Sequence, residues 1–132
     1  MFTRALLLLL GLFHAANGLE MLVAPAFWAA NVVHNPAPNH LEFHFMADIG
    51  MAFLASGAAL IWSARRGRSF AVWAIFGAAW PALHALIHAR EWLMDGLPAT
   101  KGDMVSEGVG VILAGIAGVV LAWLREREGE TA

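Results

Sequence analysis

The chain alternates between four long apolar stretches and short polar segments. The apolar stretches cover about residues 4–23, 43–64, 69–92 and 104–124. Each has roughly the 20 residues that an α-helix needs to cross the ~30 Å hydrocarbon core of a bilayer. Their length and their lack of alternation argue against strands. The pattern predicts an all-α integral membrane four-helix bundle, formed as a single domain by residues 1–132.

The intervening segments carry residues that end helices. Three prolines interrupt the chain after the first stretch: Pro25, Pro36 and Pro38. An arginine-rich turn at residues 65–68 separates the second and third stretches, and a Gly- and Pro-containing turn at residues 95–98 separates the third and fourth. The polar tail at residues 125–130 is expected to fray beyond the last helix.

The amino-acid composition limits the partners and metal ligands that the chain can have. The chain is 60% hydrophobic and 14% charged, less charge than a soluble domain of this size usually has. The formal net charge of -2 gives no reason to expect nucleic acid as a partner. Cysteine is absent, which excludes disulfides, thiolate metal sites and cysteine-ligated iron–sulfur clusters. A bound metal would therefore need imidazole, carboxylate or water as ligands.

Arginine placement predicts an orientation. Arg4, the turn at residues 65–68, and Arg125 with Arg127 all fall on one side of a four-pass chain. The positive-inside rule then places both termini in the cytoplasm of a bacterial inner membrane. The first stretch also resembles a secretory signal peptide, because small residues follow its apolar run. We favour a retained helix, since the apolar character continues through Val23.

Polar residues inside the apolar stretches mark a candidate site. His40, His44 and Asp48 are spaced i, i+4, i+8 on one helical face, which Ala47, Met51, Ala55 and Ala58 continue. Small residues let membrane helices approach closely. This face is therefore expected to point into the bundle.

The third and fourth helices carry a matching set. His84, His88 and Glu91 share a face of the third helix, and Asp103 and Glu107 lie one turn apart at the start of the fourth. In the predicted topology these groups lie near the outward end, level with His44 and Asp48. Ionisable groups at this depth require pairing, water or a bound ion, so convergence on one inward-facing cluster is expected. His14 is expected near the middle of the first helix.

Structural explanations exist for several of these groups. His40 fits solvation at the membrane interface, and Asp103 fits an N-cap of the fourth helix. Glu91 fits an interfacial ion pair. His14 fits a neutral imidazole that is hydrogen-bonded to a carbonyl or to Asn17. The whole cluster also fits a hydrogen-bond network that has no ligand.

Three motifs stand out along the chain. They are Gly18-Leu-Glu-Met-Leu-Val-Ala-Pro25, His44-Phe-Met-Ala-Asp48-Ile-Gly50 and Pro81-Ala-Leu-His84-Ala-Leu-Ile-His88. Together they resemble a group of small, functionally uncharacterised bacterial membrane proteins that are DoxX-like in architecture. The resemblance implies the four-helix fold and marks the histidines and Asp48 as motif positions. It implies no reaction, and a link between DoxX-like relatives and quinones is only a fold-level analogy.

Three functions stay open at this point. The first is a transition-metal site (Zn, Cu or Fe) or a haem b site, with the ligands or their supporting groups drawn from His44, His84, His88, Asp48 and Glu107. Secondary candidates are His14, His40, Glu91 and Asp103. The second is an accessory or scaffold subunit that contacts a membrane protein partner or another copy within the lipid bilayer. The third is a quinone- or proton-handling redox subunit.

Overall fold

The structure, a computed structural model, describes residues 2–35 and 37–130, with side chains through residue 128. Pro36, one of the predicted helix breaks, lies outside the described residues. The helices in chain order are α1 (Phe2–Val23), α2 (Pro25–Asn31), α3 (His40–Ser63), α4 (Val72–Asp95), α5 (Lys101–Glu107) and α6 (Ala114–Glu130). A short 3₁₀ turn (Arg68–Phe70) precedes α4, and a π-helical segment (Gly108–Leu113) joins α5 to α6.

Four helical spans are long and apolar enough to cross a membrane. They are Phe2–Val23, His40–Ser63, Arg68–Asp95 and Lys101–Glu128. The prediction of an all-helical chain with four such spans is therefore confirmed for the described residues. The short helix α2 was not predicted. It begins at Pro25, because the fixed φ of proline suits the first position of a helix.

The bundle has two distinct ends. At the arginine end, which holds the turn at residues 65–68, α6 meets the end of α3. At the loop end, which holds α2 and the α4–α5 turn, Asn39 caps α3. Its side chain accepts hydrogen bonds from the backbone N–H groups of Leu41 and Glu42, and the Glu42 carboxylate accepts one from the Asn39 N–H. This reciprocal cap sets where α3 starts.

Paired glycines bring α1 and α3 together. A Cβ atom at Gly57 would lie 2.6 Å from the carbonyl oxygen of Gly11, and a Cβ at Gly18 would collide with the carbonyl oxygen of Gly50. The two backbones touch because neither helix has a side chain at these points. The spacing of seven residues is the same in both helices, which keeps the contact on one side of each helix.

This contact decides which face of α3 points inward. The buried residues of α3 include Met46, Gly50, Phe53, Gly57 and Leu60. The prediction that the face with His44 and Asp48 points into the bundle is wrong. Those side chains are 66% and 53% exposed. Of the residues predicted to continue their face, Met51, Ala55 and Ala58 are exposed and Ala47 is half-buried; Trp62, one turn beyond Ala58, is exposed as well. We call the exposed row of His44, Asp48, Met51, Ala55, Ala58 and Trp62 the outer seam of α3.

The arginine end is closed by a buried cation. Arg125 is 4% exposed. Its Nε donates to the carbonyl oxygen of Ser63 (3.1 Å), and its Nη2 donates to those of Arg65 (3.0 Å) and Gly67 (2.9 Å). The prediction of a fraying tail is therefore wrong, because α6 continues through Glu130 and this side chain fixes it to the α3–α4 turn.

Candidate functional site

A large cavity lies toward the loop end of the bundle. Its volume is about 1320 Å³, which exceeds the ~300–1,000 Å³ typical of small-molecule sites. It is bounded by α1, α2, α3, the second half of α4, α5 and the π segment. It therefore occupies the part of the bundle in which the sequence predicts a polar cluster.

The cavity forms because α1 and the last helical span lie apart at the loop end of the bundle. α1 packs against α6 but makes no substantial contact with α5 or the π segment. Exposed apolar residues flank the gap on both sides, among them Phe13 and Leu19 of α1 and Val105 of α5. We call these three residues, which line the cavity on its α1 and α5 sides and are exposed, its apolar mouth. The π segment lies beside the cavity and contributes Val109, a placement that π-helical turns often have near functional sites.

Two histidines and a glutamate form the polar side of the cavity. The imidazoles of His84 and His88 are one turn apart on α4, with ring centroids 4.8 Å apart and the rings edge to face. The His88 Nδ1 lies 3.4 Å from Glu107 Oε2 and 3.6 Å from Glu91 Oε2. Trp92 Nε1 donates to the same Glu107 oxygen at 2.7 Å. The Glu107 carboxylate is therefore held beside His88 by a neighbouring indole.

Aromatic side chains fix the ring of His84. It stacks on Trp80 at 5.6 Å between centroids and meets the ring of Phe53 edge-on at 5.6 Å. His84 and Phe53 both line the cavity, together with Met46 and Ile49. An imidazole placed between apolar rings keeps one orientation, and it presents its polar edge beside an apolar wall.

The charged groups around the cavity are acidic. Glu20, Glu42, Asp103 and Glu107 line it, and no Lys or Arg is among the described residues that do so. Three of these carboxylates accept hydrogen bonds from the protein: Glu42 from Asn39, Asp103 from Thr100 and Glu107 from Trp92. The resulting field disfavours an anionic ligand.

The structure brings together only part of the predicted cluster. His84, His88 and Glu107 meet, and Glu91 lies beside them. His44 and Asp48 do not join them. They lie on the outer seam of α3, where they pair with each other at 3.5 Å. The sequence pattern showed correctly that these two residues share a helical face, but not toward which side of the bundle that face points.

The secondary candidates have separate places. His40 is exposed at the start of α3. Asp103 lines the cavity but is not the predicted N-cap of the last helical span, because its own backbone N–H donates to the side chain of Thr100, the residue that caps α5. His14 is buried against Phe53, with centroids 5.4 Å apart. The predicted hydrogen bond of His14 is wrong for the described residues, since neither of its ring nitrogens has a partner and Asn17 accepts from Trp28 instead.

The arrangement gives no support to the predicted metal centre. Within the described residues, no three His, Asp or Glu side chains are placed so that they could hold one metal ion. The predicted haem b site needs imidazoles from two opposed helices. The histidines that line the cavity, His84 and His88, both belong to α4, whereas His14 and His44 do not line it.

One histidine of the site region was not singled out from the sequence. His34 has a positive φ of 54°, and its Nδ1 lies 2.6 Å from Asp103 Oδ1. The contact ties the loop before α3 to the start of α5. Its residue type is one weak signal, because histidine adopts this backbone conformation more readily than most residues.

Comparisons with protein-family models, with curated proteins and with solved structures find no match for the chain.

Proposed function

We propose that the chain is a multi-pass protein of the bacterial inner membrane with both termini in the cytoplasm. Large apolar side chains such as Leu9, Phe76 and Leu86 are exposed on the bundle surface, where lipid would cover them. The N-terminus and the end of α6 lie together, since Thr3 donates a hydrogen bond to Glu128. The arginines used to predict orientation therefore share one end, as the positive-inside rule requires.

The proposal for activity rests on the cavity. We propose that it binds a lipid-soluble molecule with an uncharged, hydrogen-bonding head group, and that quinones are the class it takes. The apolar wall suits a hydrocarbon ring or tail, and the mouth between α1 and α5 would open toward lipid. His84 and His88 are available to donate hydrogen bonds to a carbonyl oxygen, with Glu107 beside them as a proton acceptor. The acidic surroundings favour a neutral head over an anionic one.

A second candidate function is that of an accessory or scaffold subunit. It is favoured by the hydrogen bond that joins Trp92 of α4 to Glu107 of α5 and by the contact between His34 and Asp103. In this case the polar groups only hold helices and loops in register. The resemblance to DoxX-like proteins is compatible with either candidate function, and a relationship to those proteins is itself a proposal.

Quinone titration of the purified protein tests the first candidate. Trp28 lines the cavity and Trp80 and Trp92 adjoin it, so a bound decyl-benzoquinone should quench tryptophan fluorescence saturably. His88→Ala should weaken this binding about tenfold, because one hydrogen bond to the head group is lost in an apolar site. His40→Ala is the matched control, since it removes the same side chain from an exposed position outside the cavity.

The outcomes separate the two candidates. Saturable quenching that falls in His88→Ala and persists in His40→Ala supports quinone binding. Linear, non-saturable quenching in the wild type refutes it. If His88→Ala lowers the unfolding temperature while the wild type binds no quinone, the scaffold function is the better account.

A further inference from the structure

Charge is divided unevenly between the two ends of the bundle. Six of the eight Lys and Arg residues belong to the arginine end, but only three of the ten Asp and Glu residues do. Three tryptophans near this end, Trp62, Trp73 and Trp123, are exposed, as is common at the boundary between hydrocarbon and head groups. In a bilayer, the arginine end would therefore present cations at the level of the lipid phosphates.

The turn at residues 65–68 holds a guanidinium flat against an indole. The guanidinium carbon of Arg65 lies 3.7 Å from the centroid of the Trp62 ring and 6.0 Å from that of Phe70. The two aromatic rings meet edge to face, with their centroids 6.0 Å apart. Arg65 and Trp62 are both exposed. A stacked guanidinium uses its face for the ring, so the N–H groups around its edge stay available to an acceptor.

The cations of this turn have no acceptor within the part of the protein that the structure describes. There, the side chains of Arg65, Arg66 and Arg68 make no hydrogen bond and no ion pair, and all three are exposed. The backbone of the turn is held in place, because Arg125 donates to the carbonyl oxygens of Arg65 and Gly67. The turn thus combines a fixed backbone with three exposed, unpaired cations.

We propose that this turn binds one anionic phospholipid. The Arg65 guanidinium would bind two phosphate oxygens, since its planar fork matches their geometry. Trp62 is next to the last residue of the α3 span (His40–Ser63), so its indole would pack against the glycerol and upper acyl region. The other two arginines of the turn favour a lipid with net negative charge, because they repel the ammonium group of a zwitterionic one.

A second stacked pair at the same end provides an internal comparison. The guanidinium carbon of Arg127 lies 4.0 Å from the centroid of the Trp123 ring, and both side chains are exposed. Glu126 and Glu128 flank Arg127 in the chain, and their charges oppose the approach of an anion. The turn lies instead in a stretch, residues 49–90, that contains no Asp or Glu. The two pairs therefore share stacking and differ in neighbouring charge.

Native mass spectrometry of the detergent-solubilised protein tests the proposal, because it counts bound lipids. The probes are dioleoyl phosphatidylglycerol and dioleoyl phosphatidylcholine, which have the same acyl chains. The wild type should bind the first phosphatidylglycerol about tenfold more tightly than phosphatidylcholine. Arg65→Gln should weaken phosphatidylglycerol binding about tenfold, because a charged, two-pronged contact is lost. Arg127→Gln is the matched control and should bind phosphatidylglycerol as the wild type does.

Equal affinity of the wild type for the two lipids overturns the proposal. A loss in Arg127→Gln as large as that in Arg65→Gln also overturns it, since the effect would then come from any stacked arginine. Arg65→Lys keeps the charge without the planar fork and should have an intermediate affinity. The unfolding temperature of Arg65→Gln should fall no further than that of Arg127→Gln, because each variant loses one ring contact.

The inference rests on membrane insertion, which is part of the proposed function, but not on the ligand of the cavity. Neither Trp62 nor any residue of the turn lines the cavity. Quinone titration of Arg65→Gln should therefore match that of the wild type. Release of the protein from membranes by alkaline carbonate would refute membrane insertion itself, whereas a retained protein with no lipid preference refutes only the phospholipid site.

Discussion

The buried arginine at the arginine end offers the sharpest stability prediction. Arg125→Ala removes three hydrogen bonds from a charged donor to the carbonyl oxygens of Ser63, Arg65 and Gly67. Counted separately at about 1.5 kcal/mol each, they would contribute about 4.5 kcal/mol. One nitrogen serves two of the acceptors, and water regains access to the turn when the side chain is removed. We therefore expect a loss of about 3 kcal/mol in the free energy of unfolding.

Thermal unfolding of the detergent-solubilised protein, followed by tryptophan fluorescence, measures this loss. For a chain of this length, about 3 kcal/mol corresponds to a decrease of roughly 10 °C in Tm. Arg127→Ala is the control, because Arg127 is exposed on the same helix and only stacks over the ring of Trp123 at 4.0 Å. That contact contributes about 0.5–1 kcal/mol. Arg125→Lys should fall in between, since an ammonium cannot reach all three carbonyls from one position.

The comparison with Arg127→Ala tests whether the buried hydrogen bonds of Arg125 stabilise the protein. If Arg125→Ala lowers Tm no more than Arg127→Ala does, the buried guanidinium does not hold α6 to the α3–α4 turn. The three hydrogen bonds would then contribute no more than an exposed contact.

Two further predictions concern the helix packing and the site chemistry. Gly57→Ala should destabilise the bundle by about 2 kcal/mol, because the new Cβ meets backbone atoms of α1. Gly110→Ala is the control and should be neutral or slightly stabilising, since a Cβ there has nothing within 4 Å. Equal effects of the two substitutions on thermal unfolding would contradict the glycine contact. Purified protein should show no Soret band and far less than one equivalent of transition metal by elemental analysis. A stoichiometric metal that is lost in His88→Ala would instead restore the metal hypothesis.

The helices could be predicted from the sequence because their length and hydropathy are local properties. The level of His84, His88 and Glu107 could also be predicted, because depth follows from counting residues inward from one membrane boundary. Neither prediction depends on how the helices are rotated about their axes.

The rotation of α3 could not be read from its polar residues. The helix has two seams with the same spacing, one with His44 and Asp48 and one with Gly50 and Gly57, and polarity favoured the first as the inward face. The packing depends on the second, because backbone contact with α1 requires glycine in both helices. The signal was the matching seven-residue interval between Gly11 and Gly18. Arg125 was missed because a charged tail looks the same in sequence whether it is solvated or buried.

The apolar mouth between α1 and α5 has a consequence for how binding must be measured. If the cavity takes a lipid-soluble ligand from the bilayer, as proposed, that ligand travels in two dimensions, and occupancy depends on its mole fraction in the bilayer and not on its concentration in the buffer. Diluting proteoliposomes at a fixed ratio of ligand to lipid should leave occupancy unchanged. Adding empty vesicles should lower it. Under the proposed function, a binding constant for this site has to be expressed relative to lipid, and the lipid content of each preparation has to be measured with it.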